Sequence, residues 1–303
     1  MTEFSKIHIF DRHTVRLRRD RFAQDYSEFN FLKAEVSRRL ADRLDDIARK
    51  FPLAADIGCH GGEMGDLLAS RDDVEFVIKS DLSEAFARRV KGYRIVADEE
   101  FLPLGAESLD LAVSALSLHW ANDLPGALLQ IRQALKKDGL FLGAVFGGET
   151  LKELRQSFLQ AELEKTGGVS PRVSTFVDIR DAGNLLQRAE FALPVTDVET
   201  ITVDYPDAFA LMRDLRGMGE ANALRARRTS FTGRSTFMLA ADHYQRIYGS
   251  DDGRIPATFQ IVFMTGWAPH ESQQKPLRPG SAKARLADAL ETIEFPAGEK
   301  AGS

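Results

Sequence analysis

The chain has 303 residues, enough for one large α/β domain with insertions or for two ordinary domains. Its 40 basic against 45 acidic side chains leave a net charge of −5, so no positive excess advertises a nucleic-acid partner. A single cysteine excludes a disulfide framework, a CxxC pair and a Cys-rich metal site, and no apolar run approaches the roughly 18–20 residues of a membrane helix. With no charged-then-apolar leader in Met-Thr-Glu-Phe-Ser-Lys, the sequence reads as a soluble intracellular protein.

In chain order, residues 12–21 carry Arg12, Arg16, Arg18, Arg19 and Arg21, which read as a solvated helix face rather than an anionic docking site. Leu32, Val36, Leu40, Leu44, Ile47 and Phe51 recur every three or four residues and predict an amphipathic helix that Pro52 stops. Short apolar runs then alternate with helical stretches. Strands are expected at 53–57, 74–78, 94–97, 109–114 and 140–146, with helices at 63–69, 83–90 and 124–137 between them. This rhythm predicts right-handed βαβ units and a mostly parallel sheet covered on both faces. Further on, helices are expected at 150–165 and, with Asp178 as N-cap, up to Glu190. Strands at 198–203 and 258–265 flank a mixed helical stretch, 206–248, and extend the sheet beneath a helical cap. From Ser272 onward Pro, Gly, Lys and Ser predict a mobile tail. The chain thus divides into a helical 1–52, a nucleotide-binding core 53–148, insertions with the last two strands 149–271, and the tail 272–303.

The first strand ends in Asp56-Ile-Gly-Cys-His-Gly-Gly62, the turn where a doubly wound sheet binds its ligand. Gly58 and Gly62 let the backbone turn tightly and approach a nucleoside, with Cys59 as a small loop filler and His60 beside them. Asp81, twenty-five residues after Asp56 and followed by Leu82, is placed to accept both ribose hydroxyls, as acids do at dinucleotide sites. Asp98, Glu99 and Glu100 end the third strand, placed to meet an adenine amino group. With neither G-x-x-x-x-G-K-[ST] nor G-x-G-x-x-G present, a phosphate-free sulfonium nucleoside suits this carboxylate rim, and S-adenosylmethionine is the expected cofactor.

Asp56, Gly58 and Gly62 match the Asp/Glu-x-Gly-x-Gly-x-Gly motif of the class I S-adenosylmethionine-dependent methyltransferases, with His60 in place of the middle glycine. The chain resembles that superfamily, which implies a doubly wound, seven-stranded Rossmann-like α/β fold. Ile9-Phe-Asp-Arg12, Ala97-Asp-Glu-Glu-Phe-Leu-Pro103, Ser117-Leu-His-Trp-Ala-Asn-Asp-Leu-Pro125, Phe146-Gly-Gly-Glu-Thr150, Gly217-Met-Gly-Glu220, Pro256-Ala-Thr-Phe-Gln-Ile261 and Gly266-Trp267 further resemble the mitochondrial complex I assembly factor 5 family. That resemblance implies a part in early assembly of respiratory NADH:ubiquinone oxidoreductase, and hydroxylation of an arginine on an iron–sulfur subunit. It points to a bacterial, cytoplasmic counterpart, or to the mitochondrial matrix in a eukaryote, with a surface peripheral to the inner membrane. A more distant likeness is to the malonyl-carrier methyltransferases, through the Leu-His-Trp segment and Gly219-Glu-Ala-Asn222. A non-catalytic assembly chaperone and a small-molecule methyltransferase stand as alternatives.

Ser114, Ser117 and His119-Trp120 follow the fourth strand and should face the methionine end of the cofactor. His119 is the candidate catalytic base or substrate anchor, or else a packed histidine. Trp120 reads as core or pocket wall. Glu149 is a helix N-terminal acid or a holder of a guanidinium substrate. The six histidines form no H-x-[DE] pair, so hydroxylation has no metal signature in the sequence and no metal is expected. Arg225-Ala-Arg-Arg228 reads as a solvated helix face or a docking patch.

Overall fold

The computed structural model describes residues 8–174, 176, 178–274 and 292. The chain begins with α1 (Arg12–Phe22) and α2 (Phe31–Asp45). Strand–helix alternation follows through β1 (Leu53–Ile57), α3 (Glu63–Ala69), β2 (Phe76–Asp81), α4 (Glu84–Arg89), β3 (Tyr93–Val96), β4 (Leu109–Ala115), α5 (Leu124–Ala134) and β5 (Leu135–Phe146). Beyond it come α6 (Lys152–Thr166), α7 (Ile179–Arg188), β6 (Ala192–Tyr205), α8 (Ala208–Gly217), α9 (Arg234–Tyr248) and β7 (Ile255–Trp267). The seven strands form one sheet in the order β3-β2-β1-β4-β5-β7-β6. β1 to β5 pair in parallel, whereas β7 runs antiparallel to both β5 and β6. Strand order reverses between β1 and β4, which sets the switch point of the sheet at the carboxyl ends of those two strands.

Period-two alternation explains why both faces are covered. On β5, Leu140, Leu142, Ala144 and Phe146 enter a core with α2, α3, α6, α8 and α9, while Phe141 and Val145 enter a second core with α5 and α7. Each fully buried Leu or Phe in these layers contributes roughly 1.5–3 kcal/mol. Helix starts are capped as their residues dictate: the Ser83 hydroxyl accepts from the Phe86 amide and Asp178 from the Arg180 amide.

Several boundaries differ from the expected ones. α2 stops at Asp45 instead of reaching Phe51, because the chain must leave the helix for the Phe51 amide to bond the Asp73 carbonyl at 2.8 Å. Phe51 stays wholly buried, so its apolar periodicity reported burial rather than helix. α5 ends at Ala134, and Leu135 opens β5 opposite Leu109 through a local irregularity in the pairing. β2 begins at Phe76 and runs to Asp81. β6 and β7 pair along nearly their full lengths and exceed the short strands expected. The mixed stretch resolves into α8 and α9. Residues through Pro269 belong to one compact unit. In the next, the Gln273 amide donates to the His270 carbonyl. Past residue 274 the expected tail lies outside the described residues, Thr292 excepted.

Candidate active site

The β1–α3 turn is built as its glycines require. Gly58 has φ +74° and Gly62 φ +96°, and a Cβ on Gly58 would overlap the Ser117 side chain across the switch point. The Gly58 and Cys59 amides both donate to the Ser80 carbonyl at 2.8 Å, which ties the turn to β2. Asp56 is fully buried beneath it and accepts from the Gly65 amide at 2.8 Å, while its Oδ1 has no hydrogen-bond partner. Burial pushes its pKa up to about 6. Burial also pushes the Cys59 thiol up, so this cysteine fills the loop as an inert side chain.

His60 adopts φ +48° and lies wholly inside. Its ring packs 5.7 Å from Tyr26 and 5.3 Å from Phe86, with Nδ1 3.0 Å from the Lys33 ammonium. Burial and the Lys33 charge hold its pKa well below the ordinary value, so the imidazole is neutral. Lys33 itself donates to the Gly58 and Ala115 carbonyls at 2.7 Å each, joining the turn to the end of β4. Between His60, Lys33, Phe146, Met218 and Glu220 only about 10 Å³ of cavity is left.

Asp81 and the Asp98–Glu100 run meet on one edge of the sheet, as expected, but α1 reaches them first. Arg19, 1% exposed, places Nη1 2.9 Å from Glu99 and 3.3 Å from Asp81, and its Nη2 donates to the Ser117 hydroxyl at 2.9 Å. Arg12 pairs with Asp98 at 2.6 Å and with Glu99, and donates to the Trp120 carbonyl. Asp81 also accepts from the Ser83 amide at 2.8 Å and from the His60 amide at 3.0 Å. Burial opposes the charge on Glu99, yet Arg12 and Arg19 outweigh it and hold its carboxyl below the usual range. Burial likewise opposes Arg19, and Asp81 with Glu99 outweighs it and raises the guanidinium pKa. The arginine run is solvated only in part: Arg16 and Arg21 are exposed, whereas Arg12, Val15 and Arg19 share one side of α1, three and four residues apart, and that side is turned inward.

The donor chemistry here suits a nucleoside, with buried carboxylates on adjacent strand ends. The space does not. In this arrangement the guanidinium of Arg19 takes acceptors on Asp81 and Glu99 that ribose hydroxyls would need, so S-adenosylmethionine fits here only with Arg19 displaced.

Ser114 donates to the Ile57 carbonyl at 2.7 Å and pins β4 to β1. Leu82 packs on a small cluster of Phe10, Val15, Trp120, Ala223 and Leu224. Trp120 is core, edge-on to Phe10 at 5.2 Å. His119 is buried with its Nε2 3.0 Å from Glu220 Oε2, the oxygen that also accepts from the Trp120 indole N–H at 3.0 Å. The second nitrogen, Nδ1, is buried and has no hydrogen-bond partner. Glu149 is exposed and pairs with Lys152, away from this cluster. Arg225–Arg228 lies in a loop rather than a helix, where Arg227 binds Asp11 and Thr14.

Glu220 also borders a larger cavity of about 420 Å³ under the cap, between apolar walls including Phe158, Met212 and Phe237 and the cations Arg18 and Arg172. Arg12, Arg19 and Lys33 were not marked by sequence reasoning as site residues, and no role was assigned to Glu220. The seven-residue spacing of the two arginines on one helical face was the available signal.

Residues 55–143 match the methyltransferase domain family. The chain is 45% identical to the zebrafish (Danio rerio) arginine-hydroxylase NDUFAF5, mitochondrial, over 93% of this chain and 89% of that protein. It is 44% identical to the human protein of that name, over 93% and 83%. The malonyl-[acyl-carrier protein] O-methyltransferase of Laribacter hongkongensis is 34% identical over 94% of this chain and 96% of its own. Among solved structures, the YcgJ protein of Bacillus subtilis superposes with TM-score 0.54 at 14% identity, covering 77% of this chain and 99% of that one, a likeness of fold alone. Full-length identity at this level, on a sheet with a switch point between β1 and β4, shows that the chain belongs to the NDUFAF5 family of class I methyltransferase-fold enzymes.

Proposed function

We propose that the protein binds S-adenosylmethionine at the carboxyl ends of β1, β2 and β3 and modifies an arginine on an iron–sulfur subunit during assembly of respiratory complex I. The observation that carries this reading is the convergence of Asp81 and Glu99 beside the Gly58–Gly62 turn, in a chain 44–45% identical to proteins named arginine-hydroxylase. The proposed cofactor contacts are Asp56, Gly58, Cys59, His60, Gly62, Asp81, Leu82, Asp98, Glu99 and Ser114. His119 is the proposed base or substrate anchor: Glu220 fixes which nitrogen carries the proton and leaves Nδ1 to accept one. The site of action follows the complex, the matrix in a eukaryote and the cytoplasmic side in a bacterium. No helix among the described residues is long and apolar enough to cross a membrane.

Mass spectrometry of complex I subunits from cells lacking the gene tests the reading. One arginine should lose an added oxygen or methyl group that is present in the parent strain; an unchanged pattern refutes it.

One observation favours a second reading. The cap cavity brings Arg18, Arg216 and Arg228, with Arg172 and Arg227 already paired to Glu162 and Asp11, around apolar walls with Glu220 at one border, a lining in which cations outnumber acids and which suits a carboxylate on an apolar arm better than a guanidinium. Arg18 meets no carboxylate within ion-pair distance among the described residues; burial and then Arg227 lower its pKa. Incubating the protein with S-adenosylmethionine and a malonyl thioester decides between the readings, since a methyl ester product supports only the second.

A further inference from the structure

We infer that Asp81, Glu99 and Ser117 form a guanidinium receptor that the chain fills with its own Arg19, so that α1 and the nucleoside cofactor compete for the same carboxylates. The inference rests on the cofactor reading above and adds to it a gate.

The receptor is complete. Arg19 Nη1 bridges carboxylates from the ends of two strands, Nη2 donates to the Ser117 hydroxyl, and that hydroxyl in turn donates to Glu99 Oε1 at 2.5 Å. Arg12 closes the outer side on Asp98 and Glu99. Asp81 and Glu99 are 0% and 1% exposed, and leaving either without a partner in that medium is costly. Whatever replaces Arg19 must therefore bring donors or positive charge. A ribose diol supplies the donors and a sulfonium the charge.

α1 is also held in a way that lets it leave. Of its eleven residues only Val15 and Arg19 are buried, and the hydrophobic driving force on it is correspondingly small. By contrast, α2 buries Leu32, Val36, Leu40 and Leu44. Apart from the packing of Phe10 and Val15 on Trp120 and Leu224 and the Ser83 hydroxyl that donates to Asp20, α1 and the residues before it are fastened mainly by polar contacts to one loop. The Asp11 amide donates to the Ala223 carbonyl at 2.9 Å, the Arg225 amide to Ile9 at 2.8 Å, Arg18 to the Ala221 carbonyl, and Arg227 pairs with Asp11 at 3.0 Å. Elements with few buried apolar contacts open at the low end of the local stability range. The same loop carries Glu220, the partner of His119, so withdrawal of α1 reaches the second half of the site as well.

The test uses the full chain and S-adenosylhomocysteine as the probe. Hydrogen exchange should speed up at the amides of residues 15–22 when the probe is added, while the 58–65 turn becomes protected. Calorimetry should show Arg19→Gln binding the probe about tenfold tighter than the parent. Because Arg19→Gln takes a buried positive charge away from Asp81 and Glu99 and can fail to fold, Arg12→Gln, with Arg19 intact, is measured beside it and should also tighten binding. Measurable affinity with α1 exchange unchanged or slowed overturns the gate and leaves the cofactor reading standing. Failure of the parent and of both variants to bind overturns the two together.

Discussion

Asp56→Asn isolates the energetic consequence of burying a carboxylate under the β1–α3 turn. Asp56 is 0% exposed, its Oδ1 is unpartnered, and its pKa is pushed from 3.8 to about 6, by burial above all. A raised carboxyl pKa means that the folded state holds the proton more tightly than the unfolded chain does. The associated stability is complete below the unfolded value, falls as pH climbs from about 4 to about 6, and is gone above that. The difference corresponds to about 3 kcal/mol. Asparagine is neutral throughout, and its carbonyl can still accept from the Gly65 amide. The stability gap, variant minus parent, should widen by roughly 1–2 kcal/mol between about pH 5 and pH 7.5. Urea unfolding followed by fluorescence of Trp120 and Trp267 measures it at each pH. A gap that stays flat with pH, or narrows, refutes the assignment of a desolvated Asp56 with a raised pKa.

Gly58→Ala places a side chain at φ +74° against Ser117, and the backbone strain alone costs about 1–2 kcal/mol; an unchanged denaturation midpoint contradicts the packing described. Glu220→Ala removes the acceptor shared by His119 and Trp120 and should cost about 1–3 kcal/mol in unfolding free energy. Glu220→Gln, which keeps a carbonyl acceptor, should lose less, and equal losses would contradict the shared-acceptor geometry. Phe259→Ala empties a wholly buried position on β7 and should destabilise by about 3–5 kcal/mol in the same assay, a loss under about 1 kcal/mol being the contrary result.

Much of this architecture is legible in the residues because its signals are local. Leu53–Ile57 and Glu63–Ala69 were bounded by the Gly58–Gly62 cluster and by their own periodicities, and the structure keeps both ranges. Where a boundary was set by distant partners, local pattern failed. Leu135 belongs to a strand because Leu109 pairs with it, and Phe51 leaves its helix for Asp73. Charge was harder still to read. A run of five arginines in ten residues resembles a solvated face until Arg12 and Arg19 are seen to share a side with Val15, and their acid partners lie 62 to 87 residues away in sequence. Glu220 is separated from His119 by 101 residues, so only its motif was visible and not its task.

The most direct measurement is a crystal structure of the protein with S-adenosylhomocysteine. The account predicts the ribose hydroxyls on the Asp81 carboxylate, the adenine beside Asp98 and Glu99, and the Arg19 side chain out of that nest. A nucleoside seated instead in the cavity under the cap, or an Arg19 still paired with Asp81 and Glu99 in the complex, would contradict it.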